Sequence, residues 1–126
     1  MSITVSNPDL FDFADSLAWH GYRRSDGRVG IRNHRIVLST VALTDRLATA
    51  IAATDSDTLC IMGAFSRGLQ RHDEVMVERF IRSVLTHPNV GAALVLTHDR
   101  ASAERLATEI DAAIPIAYLA FMQCAG

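Results

Sequence analysis

The segment Ile36-Val37-Leu38-Ser39-Thr40-Val41 carries the strongest structural signal in the chain. Its aliphatic and β-branched residues form a short continuous run, which is typical of a strand buried on both faces of a parallel sheet. A helix is expected after it, because Thr44 suits an N-cap and apolar residues then recur at helical spacing: Leu47, Ala48 and Ile51. Residues 54–57 are polar and end this helix. The segment therefore predicts a strand followed by a helix.

The same alternation of strand and helix continues to the end of the sequence. Further strands are predicted at residues 58–63, 90–96 and 116–121. Between them, one helix carries apolar residues at helical spacing up to Pro88 and another runs from about residue 101 to 113, with four inward side chains: Ala103, Leu106, Ala107 and Ile110. This order predicts a three-layer α/β domain, Rossmann-like or flavodoxin-like, with about four parallel strands flanked by helices.

Ligands of such sheets bind outside the carboxyl ends of the strands. The segments that follow the predicted strands are therefore the places to look for a site: residues 40–45, 63–72, 97–100 and 123–126.

Length and composition predict one domain, which we place at residues 21–126, preceded by an acidic N-terminal arm at residues 1–20 that docks onto another surface.

Fourteen acidic residues outnumber twelve basic ones, all of them arginine, and this balance argues against a nucleic-acid partner. No apolar run reaches the roughly 20 residues that a membrane span needs. Cys60 and Cys124 have no framework spacing, so we expect a reduced, cytoplasmic protein in which Cys60 is core packing.

Five of the arginines lie within residues 23–35, where Asp26 is the only acid. A guanidinium offers two parallel donors that match a carboxylate or a phosphate, so this loop is a candidate anion site. Surface solubility or a subunit contact explains the cluster equally well.

Histidines supply the candidate acid-base groups. His98 and Asp99 directly follow the third main strand, where a base and an orienting carboxylate can face a substrate. Asp99 also fits the N-cap of the next helix, and both interpretations stay open here. His72 is predicted in the longest loop, close in sequence to Arg67, and is a candidate for binding a ligand.

Residues 21–33, GYRRSDGRVGIRN, resemble the opening motif of the large domain of altronate and galactarate dehydratases, roughly G-[YF]-x-R-x-D-G-R-x-G-x-R-N. The segment His87-Pro88-Asn89-Val90 resembles a second motif of that family, and Gln123 with Gly126 resembles its Q-x-x-G. The resemblance implies a hydro-lyase that removes water from a sugar acid with the help of a divalent metal, commonly iron. Together, the positions after the strands and the resemblance give His98 and Asp99 as candidate catalytic residues and a set of candidate substrate-binding residues: Arg24, Asp26, Arg28, Arg32, Asn33, Arg67 and His72.

The chain also departs from the family pattern. By our alignment, Leu43, Arg67 and Arg100 stand where relatives carry cysteine, so we expect this chain alone not to hold the metal. One hypothesis is that it is a sugar-acid dehydratase subunit or fragment, a homo-oligomer or the partner of another dehydratase subunit, that needs a partner chain for activity. The alternative is a non-catalytic relative that serves as an acid-binding or assembly module.

Overall fold

The computed structural model describes Ala18 and residues 20–63 and 70–123. The predicted arm, apart from Ala18 and His20, lies outside the described residues, as do Arg67, Cys124 and Gly126. The described chain forms a two-stranded hairpin followed by alternating strands and helices. Their bounds, in chain order, are β1 Tyr22–Arg23, β2 Val29–Gly30, β3 His34–Ser39, α1 Asp45–Ala52, β4 Thr58–Ile61, α2 Arg71–Leu85, β5 Val90–Thr97, α3 Arg100–Glu109 and β6 Ile116–Ala120.

The main sheet has four parallel strands in the order β4-β3-β5-β6. The chain starts at β3, moves outward to β4 and then returns to β5 on the other side of β3. With right-handed crossovers, this reversal puts α1 on one face of the sheet and α2 and α3 on the other. The three-layer α/β prediction is confirmed, and the strand predicted at Ile36 is β3, one of the two central strands of the sheet.

Each face of the sheet has its own apolar core. The face under α2 and α3 buries alternate residues of β3 and β5 together with helix residues, including Ile36, Leu38, Leu85, Val95 and Leu106. The face under α1 buries a smaller set: Val37, Ala48, Ala52 and Leu96. Full burial of an aliphatic side chain is worth about 1.5–3 kcal/mol, so the larger core provides most of the stability.

Four local predictions were wrong. Residues 21–33 are not only loop, because Tyr22 pairs with Gly30 in the hairpin. His72 lies in the first turn of α2 and not in a loop, since the Asp73 carboxylate accepts the Gln70 N–H and starts the helix earlier. Cys60 is exposed, because β4 is an edge strand.

The fourth wrong prediction concerns the last helix. It ends at Glu109, where the next residue, Ile110, takes an extended backbone with φ −108° and ψ 102°. Ala107 is exposed, whereas Leu106 and Ile110 are buried as expected.

No helix in the described part of the chain has the length and apolar character needed to cross a membrane.

Candidate functional site

The crevice expected of this topology lies where β3 and β5 end, because the chain leaves these neighbouring strands toward opposite faces of the sheet. The two strand ends are tied together at this point. The backbone N–H and the hydroxyl of Thr40 both donate to the Leu96 carbonyl, at 3.0 and 2.9 Å. The turn after β6 joins them, since the Met122 N–H donates to the His98 carbonyl at 3.1 Å. We call this region the carboxyl edge.

Buried hydroxyls shape the carboxyl edge. Ser39, Thr44 and Thr97 are the buried polar side chains among the described residues. Ser39 donates to the Val41 carbonyl at 2.8 Å and lies 2.7 Å from the Thr44 hydroxyl, while Thr97 donates to the Asp99 carbonyl at 2.9 Å. Each hydroxyl thus has a partner inside the protein, so these groups hold the turns and are not reserved for a ligand.

Because Gly63 has no side chain, the chain that follows β4 can lie against the carboxyl edge. A Cβ at this position would lie 2.6 Å from the Val41 nitrogen and 2.9 Å from the Ser39 carbonyl oxygen. The Gly63 N–H donates to the Asp45 carboxylate at 2.9 Å, which ties the end of β4 to the start of α1. A side chain here would push these backbone segments apart.

His98 and Asp99 form the one pair of acid-base side chains that the described structure brings together at the carboxyl edge. The His98 Nδ1 lies 3.3 Å from the Asp99 Oδ2, and both side chains are about half exposed. The other oxygen of Asp99 accepts the Ser102 N–H at 2.8 Å and caps α3. The hydrogen bonds from Ser102, and after them the contact with His98, hold the pKa of the Asp99 carboxyl below its ordinary value of 3.8.

Both interpretations of Asp99 therefore fit one geometry. The carboxylate stays ionised because it caps the helix, and the same carboxylate faces Nδ1 of the imidazole. A carboxylate at Nδ1 favours the tautomer that carries its proton there, and Nε2 is then the basic nitrogen. The pair can serve as a base with an orienting partner.

The arginine motif lies at the opposite end of the sheet, where β3 and β5 begin. Arg24 donates three hydrogen bonds there: Nε to the Pro88 carbonyl at 2.8 Å, Nη1 to the Asn33 Oδ1 at 2.9 Å and Nη2 to the Arg32 carbonyl at 3.2 Å. From the other side, the Asn89 Oδ1 accepts the N–H groups of Ile31 and Arg32 at 2.9 and 3.4 Å. The two family motifs are thus joined to each other, and we call this network the motif lock.

Two glycines permit the close approach in the motif lock. A Cβ on Gly30 would overlap the Pro88 carbonyl, and a Cβ on Gly91 would overlap the Asn33 side chain. Both glycines belong to the quoted motif segments or directly follow them. Their absence of a side chain is what lets the hairpin lie against the turn that leads into β5.

The remaining arginine-loop residues make local contacts. The Asp26 carboxylate accepts the Arg28 N–H at 3.0 Å and pairs with its guanidinium at 2.7 Å. These hydrogen bonds from the Arg28 side chain and backbone lower the pKa of the Asp26 carboxyl. Gly27, between them, has φ +86°, a conformation that favours glycine. This turn is held by its own residues.

The predicted site residues therefore fall into two groups. Arg24, Asp26, Arg28, Arg32 and Asn33 lie at the amino end of the sheet, and His98 with Asp99 lies at the carboxyl edge. The six residues of β3 separate the two ends by roughly 20 Å at about 3.3 Å per residue. His72, exposed in the first turn of α2, lies on the same side of the sheet as His98 and Asp99. One copy of the chain does not bring the arginine motif and His98 onto one small substrate.

The described residues do not by themselves fit a metal ion. No three His, Cys, Asp or Glu side chains converge anywhere in residues 20–63 and 70–123. At the positions aligned with family cysteines, Leu43 is an exposed apolar side chain and Arg100 pairs with Glu104 at 2.6 Å. We derive no chemical step through a metal.

The fold defines a parallel α/β domain, in which the carboxyl edge is the side where ligands are expected to bind. Residues 21–125 match the family described as D-galactarate dehydratase/altronate hydrolase, second domain, and the chain belongs to this family.

The chain is also similar to the (2R)-sulfolactate sulfo-lyase subunit beta of Chromohalobacter salexigens, with 37% identity over 76 residues. The match covers 60% of this chain and 20% of that relative, so the chain spans about a fifth of the relative's length. No solved structure matches the chain.

Proposed function

We propose that this chain is the crevice-bearing domain of a lyase that acts on a small 2-hydroxy acid of the sugar-acid type. The observation that carries the proposal is the His98–Asp99 pair at the carboxyl edge of a domain of this family. Galactarate, altronate and sulfolactate, the compounds in the names of the family and of the similar protein, are all 2-hydroxycarboxylates. The shared chemistry supports this substrate class.

Elimination from such an acid removes a proton from the carbon next to the carboxylate, and the leaving group on the following carbon departs with its bonding electrons. A base at the substrate carbon is therefore required. His98 is suited to this task, because Asp99 contacts Nδ1 of its imidazole, which leaves Nε2 as the basic nitrogen that accepts the proton.

The proposal includes a partner chain. Elimination also needs positive charge to bind the substrate carboxylate and to stabilise the intermediate. In the described structure the arginine motif lies at the other end of the sheet, and Arg100 is paired with Glu104. The name of the similar protein, subunit beta, is consistent with assembly from more than one chain. The remaining groups, including a divalent metal such as iron if one is used, are supplied by the partner.

The test is lyase activity in the presence of the partner polypeptide that carries the other family domains, with galactarate, altronate and sulfolactate as substrates. We expect turnover of at least one acid, and we expect His98→Gln to lower kcat by about 10²-fold or more with little change in KM. The matched control is His20→Gln, which changes an exposed histidine that precedes β1 in the sequence. This variant should keep full activity.

Two results would contradict the proposal. An active complex in which His98→Gln has wild-type kcat would remove the assigned base. A stable complex that turns over none of the acids would remove the lyase function.

The second candidate is the non-catalytic acid-binding or assembly module. The motif lock favours the assembly form, since Arg24 and Asn33 are used in contacts within the protein and not left for an acid. Calorimetry of the chain with hexarates and hexonates distinguishes an acid-binding module from an assembly module. Heat of binding indicates acid binding, and the absence of heat with every acid indicates a role in assembly only.

A further inference from the structure

The two faces of the sheet carry different numbers of helices. α1 contacts β3 and β4 on one face, and α2 and α3 cover the other. Four strands spaced by about 4.8 Å make a sheet roughly 19 Å wide, and a helix with its side chains is about 10 Å across, so each face has room for two helices. Within the described residues, the α1 face therefore has an open place over β5 and β6. Sheets in which all strands are parallel occur almost only with both faces covered.

A row of residues across the α1 face shows where the cover by α1 ends. Val37, Leu94 and Ala117 are register partners on β3, β5 and β6 and so lie on one face. Val37 is 3% exposed under α1, Leu94 is half-buried and Ala117 is exposed. The next row has the same gradient, from Leu96, which is 1% exposed, to the half-buried Leu119. We call Leu94, Ala117 and Leu119 the open half-face.

The flank of α1 that borders the open half-face is apolar. The opposite flank is fixed by Thr49, whose hydroxyl lies 3.8 Å from the Cys60 Sγ on β4. Leu47 and Ile51 lie on the other flank, toward β5, and both are half-buried. A groove of about 360 Å³ lies between Ile51 and Leu94. A helix placed there would meet apolar side chains below it, on the sheet, and beside it, on α1.

The N-terminal arm carries the sequence pattern of such a helix. Its apolar residues are spaced i, i+3, i+4 and i+7, as on one face of a helix: Leu10, Phe13, Ala14 and Leu17. Its three acids fall on the opposite side: Asp9, Asp12 and Asp15. Asn7 is a favoured N-cap residue and Pro8 a favoured first helical residue, so the pattern predicts a helix over residues 8–17.

The length of the arm and its point of entry also fit. A helix of ten residues is about 15 Å long, and β6, with five residues, is about 16 Å long. The arm joins the domain at Gly21, which lies beside Gly30, and Gly30 lies against the Pro88 turn that leads into β5. Followed backward from the amino end of β5, the arm can therefore run along the open half-face toward the carboxyl edge. Since it precedes β3, it links no two strands of the main sheet, and the handedness rule for crossovers does not restrict its face.

Charge favours the same place. The arm has three aspartates and no basic residue before His20. A helix that ends near the amino end of β5 has its first turn at the carboxyl edge, beside the first turn of α1. Arg46 is exposed in that turn of α1 and forms no ion pair with any other described residue. Its guanidinium is therefore available to an aspartate of the arm.

We propose that residues 8–17 form an amphipathic helix that packs beside α1 on the open half-face of the same chain. The apolar stripe of the arm then covers Leu94, Ala117 and Leu119, and its aspartates face solvent and Arg46. The arm gives the α1 face its second helix. This proposal is independent of the lyase function, because the open half-face contains neither the His98–Asp99 pair nor the motif lock.

The experiment is paramagnetic broadening in the NMR spectrum of the full 126-residue chain, with both native cysteines changed to serine. A nitroxide label is attached at Ala50→Cys, an exposed position on α1, or at Ala107→Cys, an exposed position on α3 across the sheet. Packed helices lie about 8–10 Å apart, so the label at residue 50 should reduce the amide peak intensities of residues 10–17 at least about twofold relative to the reduced label. The label at residue 107 should leave these peaks nearly unchanged.

Two variants of the arm in the chain labelled at residue 50 test the apolar stripe. Leu17→Asp places a charge on the stripe and should restore the peak intensities of the arm. Ser16→Asp, at the next position and on the acidic side, is the matched control and should keep the broadening. The peaks of the sheet should stay at their wild-type positions in both variants, away from the open half-face.

Several outcomes would overturn the proposal. Arm peaks that neither label broadens would show that the arm does not dock on this domain, and stronger broadening from residue 107 would place it on the other face. Equal broadening in Leu17→Asp and Ser16→Asp would exclude a contact through the apolar stripe. Broadening in a mixture of labelled and isotope-enriched unlabelled chains would assign the open half-face to the arm of a second copy.

Discussion

Replacement of Arg24 distinguishes a structural role of the arginine motif from an anion-binding one. Arg24→Ala removes three hydrogen bonds, to Pro88, Asn33 and Arg32. Each such bond contributes about 0.5–1.5 kcal/mol net, and partial exposure favours the lower half of this range, so the free energy of unfolding should fall by about 2 kcal/mol. With an unfolding entropy of about 2.1 cal/mol/K per residue over 126 residues, Tm should fall by roughly 8 °C.

Arg24→Lys is the informative variant, because it keeps the positive charge and loses the planar fork. A lysine ammonium is a compact donor that does not span three acceptors on two segments. We therefore expect Arg24→Lys to lose at least half of the stability that Arg24→Ala loses. If the charge of Arg24 served only to bind an anion, the lysine variant would have wild-type stability.

The assay is urea unfolding followed by far-UV circular dichroism, with hydrogen exchange at Ile31 and Arg32 as a local readout, since both amides bond to Asn89. The exposed Arg23→Ala is the control and should change the free energy of unfolding by less than about 0.5 kcal/mol. Wild-type unfolding and unchanged exchange in Arg24→Ala would refute a structural role for the motif lock.

Three further predictions follow from burial, close packing and the cap of α3. Leu38→Ala, at 0% exposure, should cost about 3 kcal/mol in urea unfolding, against less than about 1 kcal/mol for Leu59→Ala at 46% exposure. Gly91→Ala should lower Tm, and a double variant with Arg24→Ala should lose less than the sum of the two, because both disturb the same network. Asp99→Asn keeps a capping oxygen and should be nearly as stable as wild type at neutral pH. The pKa of Asp99 is lowered in the folded state, so its ionised form contributes stability above about pH 3.8 that is lost as the pH falls toward the folded value. Melts in acid should therefore decline less steeply for Asp99→Asn, and an identical decline would contradict the cap.

The sequence predicted the alternating core well, because each main strand and helix has its own apolar period. The β3 run at Ile36 is buried as expected. The hairpin escaped prediction since its strands have two residues each, too few for a period. Exposure of Cys60 depends on which strand lies at the edge, and strand order comes from contacts distant in sequence.

The candidate site could be predicted only in part. The position of His98 after a strand was enough to place it at the carboxyl edge. The sequence also allowed the prediction that Asp99 caps the next helix, because Asp99 directly precedes that helix. The arginine motif precedes β3, which already implies the opposite end of the sheet, yet the predicted substrate-binding and catalytic residues come from both ends. The acceptors of Arg24 include a carbonyl 64 positions away, and no local pattern reveals such a partner.

That separation also bears on the order of folding. Closing a free loop of 64 residues costs roughly 4 kcal/mol of chain entropy, more than the contacts of Arg24 return. The parallel pairing of β3 with β5, which sets His34 opposite Val90, brings the same two segments together, so we expect it to form before the hairpin docks. If the hairpin docks after the folding transition state, its contacts slow unfolding without accelerating folding. In that order of folding, the contacts of Arg24 affect the unfolding rate of this domain, and so the lifetime of its native state, more than its folding rate.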